Sequence, residues 1–151
     1  MKTLHMMIGL PGSGKTKYAR NLANDLNRPL VSLNIIRNVH LDWNDYDTLK
    51  EAYRLCSEGL LSNNEIIYDG DNITIAERQD LIKALKQGGI DVEVIAYYFK
   101  ENVETCIAKV IHNNESRKER YFPPERIRNM AQEFELPKVG EVKELIIIQE
   151  E

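Results

Sequence analysis

The apolar run Thr3–Ile8 breaks into "GLPGSGKT" (Gly9–Thr16) and then into a helical pattern. No other stretch restricts the fold so much. A turn of three glycines and a proline between a buried run and a helix presents main-chain amides at the start of that helix, with few side chains in the way. Gly9, Gly14, Lys15 and Thr16 satisfy G-x-x-x-x-G-K-[ST], a spacing whose amides wrap phosphate groups with the positive end of a helix dipole behind them. Gly12, Ser13 and Gly14 leave room for that approach, and Pro11 fixes the φ of a turn that must stand ready before its ligand arrives. Lys15 is expected to reach the β- and γ-phosphates of a nucleoside triphosphate, and Thr16 to offer its hydroxyl to magnesium. The implied cofactors are ATP, or another triphosphate, and Mg2+.

Beyond the loop, short apolar runs alternate with longer amphipathic ones, the pattern of α/β units around a parallel sheet. Strands are expected at Thr3–Ile8, Pro29–Asn34, Glu65–Asp69, Asp91–Phe99 and Glu144–Gln149. Helices are expected at Lys15–Leu26, Asp47–Leu61, Thr74–Gln87, Val103–His112 and Glu125–Phe134. Thr74 with Glu77 three residues on reads as a capping box, and Gly88-Gly89 stops the helix it opens. "NNESRKERYFPP" (Asn113–Pro124) breaks the pattern with charge and paired prolines and reads as a mobile loop. The expected architecture is a single P-loop domain over residues 1–151: an α/β, three-layer α/β/α fold with a mainly parallel five-stranded sheet and a basic lid at about 113–124. Glu150 and Glu151 are expected to form a solvated tail.

Composition narrows the partners. A net charge of −4 argues against broad nonspecific nucleic-acid binding and leaves a local basic groove open. Cys56 and Cys106 lie in helical stretches with no C-x-x-C or Cys/His spacing, so reduced core thiols and a cytoplasmic setting are expected. Met1–Leu10 has no secretory layout, and no apolar run approaches the length of a membrane span. His5, His40 and His112 have no ligand spacing. Trp43 and Tyr46 could stack on a base, although packing of their loop against the body is the expectation.

A phosphate loop does not name a reaction. The chain has neither the N-K-x-D guanine signature nor the long insertions of motor ATPases, which favours a small phosphotransferase. Asp69, ending a buried run, is placed to hold a magnesium-bound water, or else caps the turn that follows. Asp71 would orient a substrate or Arg37, or belong to a plain Asp-Asn turn. Arg37 would pair with an acceptor phosphate through two parallel donors, or sit on the surface. Arg117 and Arg120, favoured over Lys118 for their planar donor fork, would close over the triphosphate, or else the charge run is only a solvated face.

From "VSLNIIR" onward the chain resembles the P-loop kinase family that includes phage-type polynucleotide 5'-hydroxyl kinases. Those proteins carry G-x-P-G-S-G-K-[ST] and then a strand ending in Asp-x-x-Arg. Arg37 holds the arginine place and Asn34 the aspartate place. "EIIYDGDNITIAERQ" is similar to V-I-x-D-x-T-N-L-[TS]-x-x-E-R, matched by Asp69, Asn72, Thr74, Glu77 and Arg78. "RYFPPERIRNM" is similar to R-x-V-P-x-E-x-I-x-x-M, matched by Arg120, Pro123, Glu125, Ile127 and Met130.

The resemblance implies an adenylate-kinase-like fold and transfer of the γ-phosphate to the 5'-hydroxyl of a polynucleotide end. It puts Lys15, Thr16, Arg117 and Arg120 on the donor, and Asn34, Arg37, Asp71 and Asn72 on the acceptor. A nucleoside or a hydroxymethylated base in DNA is the alternative acceptor. No membrane or obligate protein partner is implied, and a homo-oligomer stays open. In the family the aspartate at the place of Asn34 takes the proton of the attacking hydroxyl, which asparagine cannot do. Three readings stand side by side: an asparagine introduced to hold substrate without turnover, another carboxylate such as Asp42 or Asp71 serving as base, or nucleotide binding without efficient transfer.

Overall fold

In the computed structural model, which describes residues 1–149, the alternating runs build five strands and six helices among the described residues. In chain order they are β1 (Lys2–Ile8), α1 (Lys15–Leu26), β2 (Leu30–Ser32), α2 (Leu33–Val39), α3 (Asp45–Ser62), β3 (Glu65–Asp69), α4 (Ile75–Gln87), β4 (Val92–Phe99), α5 (Val103–Ser116), α6 (Pro124–Glu133) and β5 (Glu144–Ile148). The expected tail, Glu150 and Glu151, lies outside the described residues.

Every strand pair is parallel, in the order β2-β3-β1-β4-β5. β1 is central, with Met7 opposite Asp69 of β3 and Ile8 opposite Tyr98 of β4. After β1 the chain moves to one edge, returns in β3, and then crosses β1 to reach β4 and β5. The connections therefore diverge at the carboxyl end of β1, the place where open parallel sheets hold ligands.

Successive side chains of β1 face opposite layers, as strand geometry requires. Leu4, Met6 and Ile8 pack with Leu33, Ile36, Ala52, Cys56, Leu60, Leu81 and Leu85 from α2, α3 and α4. Met7, with Ile67, Tyr97 and Phe99, packs on Ala19 and Ala23 of α1. Burial on both faces explains why β1 reads as a continuous apolar run and not as an alternating one. A third cluster, Cys106, Ile107, Val110 and Ile127, joins α5 to α6 and reaches Leu10 at the start of the glycine turn. Both cysteines are buried and unpaired; burial pushes their thiols up, Cys106 to about 11, which suits inert core groups. No helix among the described residues is long and apolar enough to cross a membrane.

Several element ends shift by one or two residues, and three local features differ in ways that bear on the site. The strand expected over Pro29–Asn34 ends at Ser32, because the Ser32 hydroxyl accepts from Ile35 N at 3.2 Å and opens α2. Leu33 and Ile36, three apart, then bury the same face of a short helix. Asn113–Ser116, expected in the loop, extend α5, and α6 begins on Pro124, a residue suited to the first helical position. The cap on α4 forms with a shift: Thr74 accepts from Glu77 N at 3.1 Å, while the Glu77 carboxylate accepts from Ile73 N at 3.0 Å, one residue before the usual partner.

Candidate nucleotide-binding cleft

α2, α3, α4 and α5 are capped by the side chains of Ser32, Asn44, Thr74 and Asn102. α1 has no such cap and no acidic residue in its first turn; Gly14, at φ 90°, turns the chain into it. Residues 10–17 line a cleft of about 790 Å³ at this end of the sheet, so the uncapped amides and the positive end of the helix dipole lie at its wall. The Ser13 hydroxyl is buried there without a hydrogen-bond partner among the described residues. An unmet buried hydroxyl beside uncapped amides is the feature that fits a phosphate.

The need for glycine at position 12 has a second source. At φ 83°, a Cβ on Gly12 would stand 2.6 Å from the carbonyl oxygen of Cys106 in α5. The backbone of α5, as well as an incoming ligand, therefore excludes a side chain. Gly12→Ala is expected to destabilise the fold by about 1–3 kcal/mol through left-handed strain and that collision. Thermal melting checks it.

The Lys15 ammonium is buried and donates to Gly9 O at 2.5 Å, Leu10 O at 3.1 Å and Asp71 Oδ1 at 3.1 Å. The other oxygen of Asp71 accepts from Arg37 Nη2 at 3.1 Å. Burial would raise the Asp71 carboxyl, but the charges and hydrogen bonds of Lys15 and Arg37 hold it down at about 2. A carboxylate so held is a poor proton acceptor, so the reading of Asp71 as a substitute base is corrected: it orients Lys15 and Arg37. Asp42, the other base candidate, is exposed and does not line the cleft.

Asp69 is buried and accepts at 2.7 Å from both Thr16 Oγ1 and Ser32 Oγ. From the first turn of α2, Asn34 donates to Thr16 Oγ1 at 3.4 Å. The unforeseen helix thus brings Asn34 and Arg37 to the loop threonine and to Asp71. No group of three or more His, Cys, Asp or Glu among the described residues could hold a metal ion. One hydroxyl and one carboxylate nevertheless fit magnesium, which keeps few protein ligands and fills its shell with phosphate and water oxygens.

Two expected contacts are corrected. Asn72, at φ 55°, is buried; its amide donates to Met7 O at 2.8 Å and its carbonyl accepts from Arg78 at 2.7 Å. It braces the strand end and does not line the cleft. Arg117 is the exposed, left-handed C-cap of α5 and does not line the cleft.

Of the expected loop over 113–124, residues 113–116 end α5, Pro124 opens α6, and 117–123 form a clasped turn. Asn114 donates to Phe122 O at 2.8 Å and accepts from Phe122 N at 3.0 Å, and Arg120 N donates to Asn38 Oδ1 of α2 at 3.0 Å. Arg120 does line the cleft, with Nη2 3.4 Å from Asp45 and Nη1 buried without a partner among the described residues.

Sequence reasoning missed Arg126 and Phe122. The Arg126 guanidinium lies 5.2 Å from the Phe122 ring centroid and 2.7 Å from Asp45 Oδ2. The available signal was an aromatic residue inside a charged run, next to a helix opened by proline. His112, set aside as without spacing, lines the cleft as well. Trp43 stacks on His40 at 3.6 Å and packs against the core, as expected, while Tyr46 is exposed.

A parallel sheet whose central strand feeds an uncapped, glycine-turned helix with a buried lysine defines a P-loop nucleotide-binding domain of kinase-like fold. The chain belongs to the AAA domain family, whose profile matches residues 4–137. No curated protein matches it by sequence. Among solved structures it is similar to a candidate kinase from Chloroflexus aurantiacus J-10-fl (TM-score 0.78, 16% identity, 98% of this chain and 88% of that one). It is also similar to Chaetomium thermophilum Kti12, solved with ADP-AlF3 (TM-score 0.70, 20% identity, 97% and 88% covered). A third is a gluconokinase from Sinorhizobium meliloti 1021 (TM-score 0.60, 14% identity, 98% and 82% covered). At these identities the likeness is one of fold.

Proposed function

We propose that the protein transfers the γ-phosphate of ATP to a hydroxyl, with the 5'-hydroxyl of a polynucleotide end as acceptor. The observation that carries the reading is a cleft with two buried polar atoms unmet among the described residues, Ser13 Oγ at the glycine turn and Arg120 Nη1 between α5 and α6. Its volume of about 790 Å³ falls high in the range of about 300–1,000 Å³ typical of ligand pockets. That leaves room for a donor tail and an acceptor end together.

The glycine turn, Lys15 and Thr16 would bind the donor, and Arg120 would face charge developing on the transferred group. The ADP-AlF3 in the Kti12 complex supports a nucleotide as the ligand of this fold. Magnesium, when bound, neutralises the phosphate oxygens, and Thr16 with Asp69 would hold it. On the acceptor side, Arg37 and Arg126 flank the Phe122 ring at 6.0 and 5.2 Å. Two guanidinium groups around one aromatic ring match a phosphate beside a base. The motif likenesses over Asn34–Arg37 and Arg120–Met130 point the same way.

One observation favours a second reading, nucleotide binding without turnover: Asn34 cannot ionise, and Asp45, Asp69 and Asp71 are all engaged. The test is labelled ATP with 5'-hydroxyl oligonucleotides, nucleosides and hydroxymethylated DNA, run on this protein and on Asn34→Asp. Oligonucleotide ends are expected to take the label, faster with Asn34→Asp. Label on nucleosides or modified bases alone would move the acceptor. ATP affinity with no transfer by either protein would select the second reading.

A further inference from the structure

We infer that Glu119 is the proton acceptor that Asn34 cannot be: its carboxylate takes the proton of the attacking hydroxyl. This rests on the phosphotransfer reading above. Four carboxylates line the main cleft, Asp45, Asp69, Asp71 and Glu119. Asp45 is paired with Arg126, Asp69 accepts from Thr16 and Ser32, and Asp71 is locked between Lys15 and Arg37. Glu119 is half-buried and has no ion pair or side-chain hydrogen bond among the described residues.

Its place is set by the fold. Asn34 borders the main cleft and also an adjoining cavity between α1 and α2, and Glu119 is the one carboxylate that lines both with it. The hydrogen bond from Arg120 N to Asn38 Oδ1, 3.0 Å, fixes the residue after Glu119 to α2. Asn38 lies one turn beyond Asn34 on the same face of that helix, so the clasp brings Glu119 to the part of α2 that carries Asn34. Lys17 and Arg20 of α1 border the same cavity.

The step balances. The hydroxyl oxygen bonds to the γ-phosphorus while the bond from that phosphorus to the β,γ-bridging oxygen breaks. ADP leaves with that electron pair, and the hydroxyl proton passes to Glu119, which returns it to water after product departs. The Asn34 amide holds the hydroxyl in line.

The experiment is steady-state transfer from ATP to a 5'-hydroxyl oligonucleotide by the full chain, Glu119→Gln, and Glu119→Gln with Asn34→Asp. Glu119→Gln is expected to lower kcat by about 10²–10⁴-fold with KM for ATP unchanged and thermal melting intact. The double variant is expected to recover most of the loss, which a merely structural role for Glu119 would not allow. Transfer by Glu119→Gln at the parent rate, or a loss that Asn34→Asp does not rescue, overturns the inference and leaves the phosphotransfer reading standing. Absence of transfer from the parent and from Asn34→Asp alone refutes that reading, and the inference with it.

Discussion

Lys15→Ala is expected to lower transfer by about 10²–10³-fold, the size of effect seen when one fixed donor to a developing charge is removed, and to weaken ATP binding. The ammonium is already desolvated, with two loop carbonyls and one carboxylate around it, so it can exchange these partners for phosphate oxygens without a new cost of leaving water. Alanine removes the charge and leaves the Asp71 carboxylate, 14% exposed, with Arg37 alone. That has a signature in acid. The Asp71 carboxyl sits at about 2 in the folded protein against an ordinary 3.8. A depressed carboxyl adds stability that is present above its unfolded value and lost as pH falls through its folded value, here about 2 kcal/mol between pH near 4 and pH near 2. In Lys15→Ala the carboxyl rises, so the variant is less stable at neutral pH and loses less over that window. Binding calorimetry with ATP and urea melts at pH 7 and pH 2 read the two effects separately. Unchanged ATP affinity would remove the ground for assigning a nucleotide to the cleft.

The glycine turn was legible because its backbone leaves few residue types free: Gly12 and Gly14 adopt φ of 83° and 90°, where side chains are strained. The order of strands and helices was legible for a similar reason, since burial of both sheet faces demands continuous apolar runs. What stayed hidden depends on distance along the chain or on short-range competition. "VSLNIIR" is apolar enough to continue a strand, and only the Ser32 cap and the Leu33–Ile36 pair tip it into α2; the placement of Asn34 and Arg37 follows from that choice. Asn72 matched a motif yet serves the backbone: it is buried, its amide holds Met7 O, and it does not line the cleft. The charged run from Arg117 to Arg120 reads as a basic lid by composition. Within it, the clasps through Asn114 and Asn38 select Arg120 and Glu119 for the cleft and leave Arg117 outside.

The largest loss of stability is expected from Arg78→Met. Arg78 was read as one matched position in a motif, and no spacing indicates its partner, Glu141, which lies 63 residues away in sequence. The side chain is fully buried. Its Nε donates to Glu141 at 2.6 Å, Nη1 to Asn72 O at 2.7 Å and Nη2 to Glu135 O at 2.8 Å. One cation thus joins α4, the turn after β3 and the segment that leads into β5. Methionine fills similar volume but leaves the Glu141 carboxylate, 6% exposed, without its counter-charge, together with two carbonyls that lose a donor. Removing one partner of a buried pair costs about 3–5 kcal/mol, mainly through the charge left behind, whereas replacing both with apolar groups is often close to neutral. Arg78→Met combined with Glu141→Leu is therefore expected to recover a large part of the loss in urea melts. A double variant as unstable as the single one would mean that the carbonyls of Asn72 and Glu135, and not the ion pair, account for the loss. Because Asn72 also holds Met7 O at the root of the glycine turn, and the double variant lacks the donor to Asn72 O, it is expected to bind ATP more weakly than the parent even where its melting is restored.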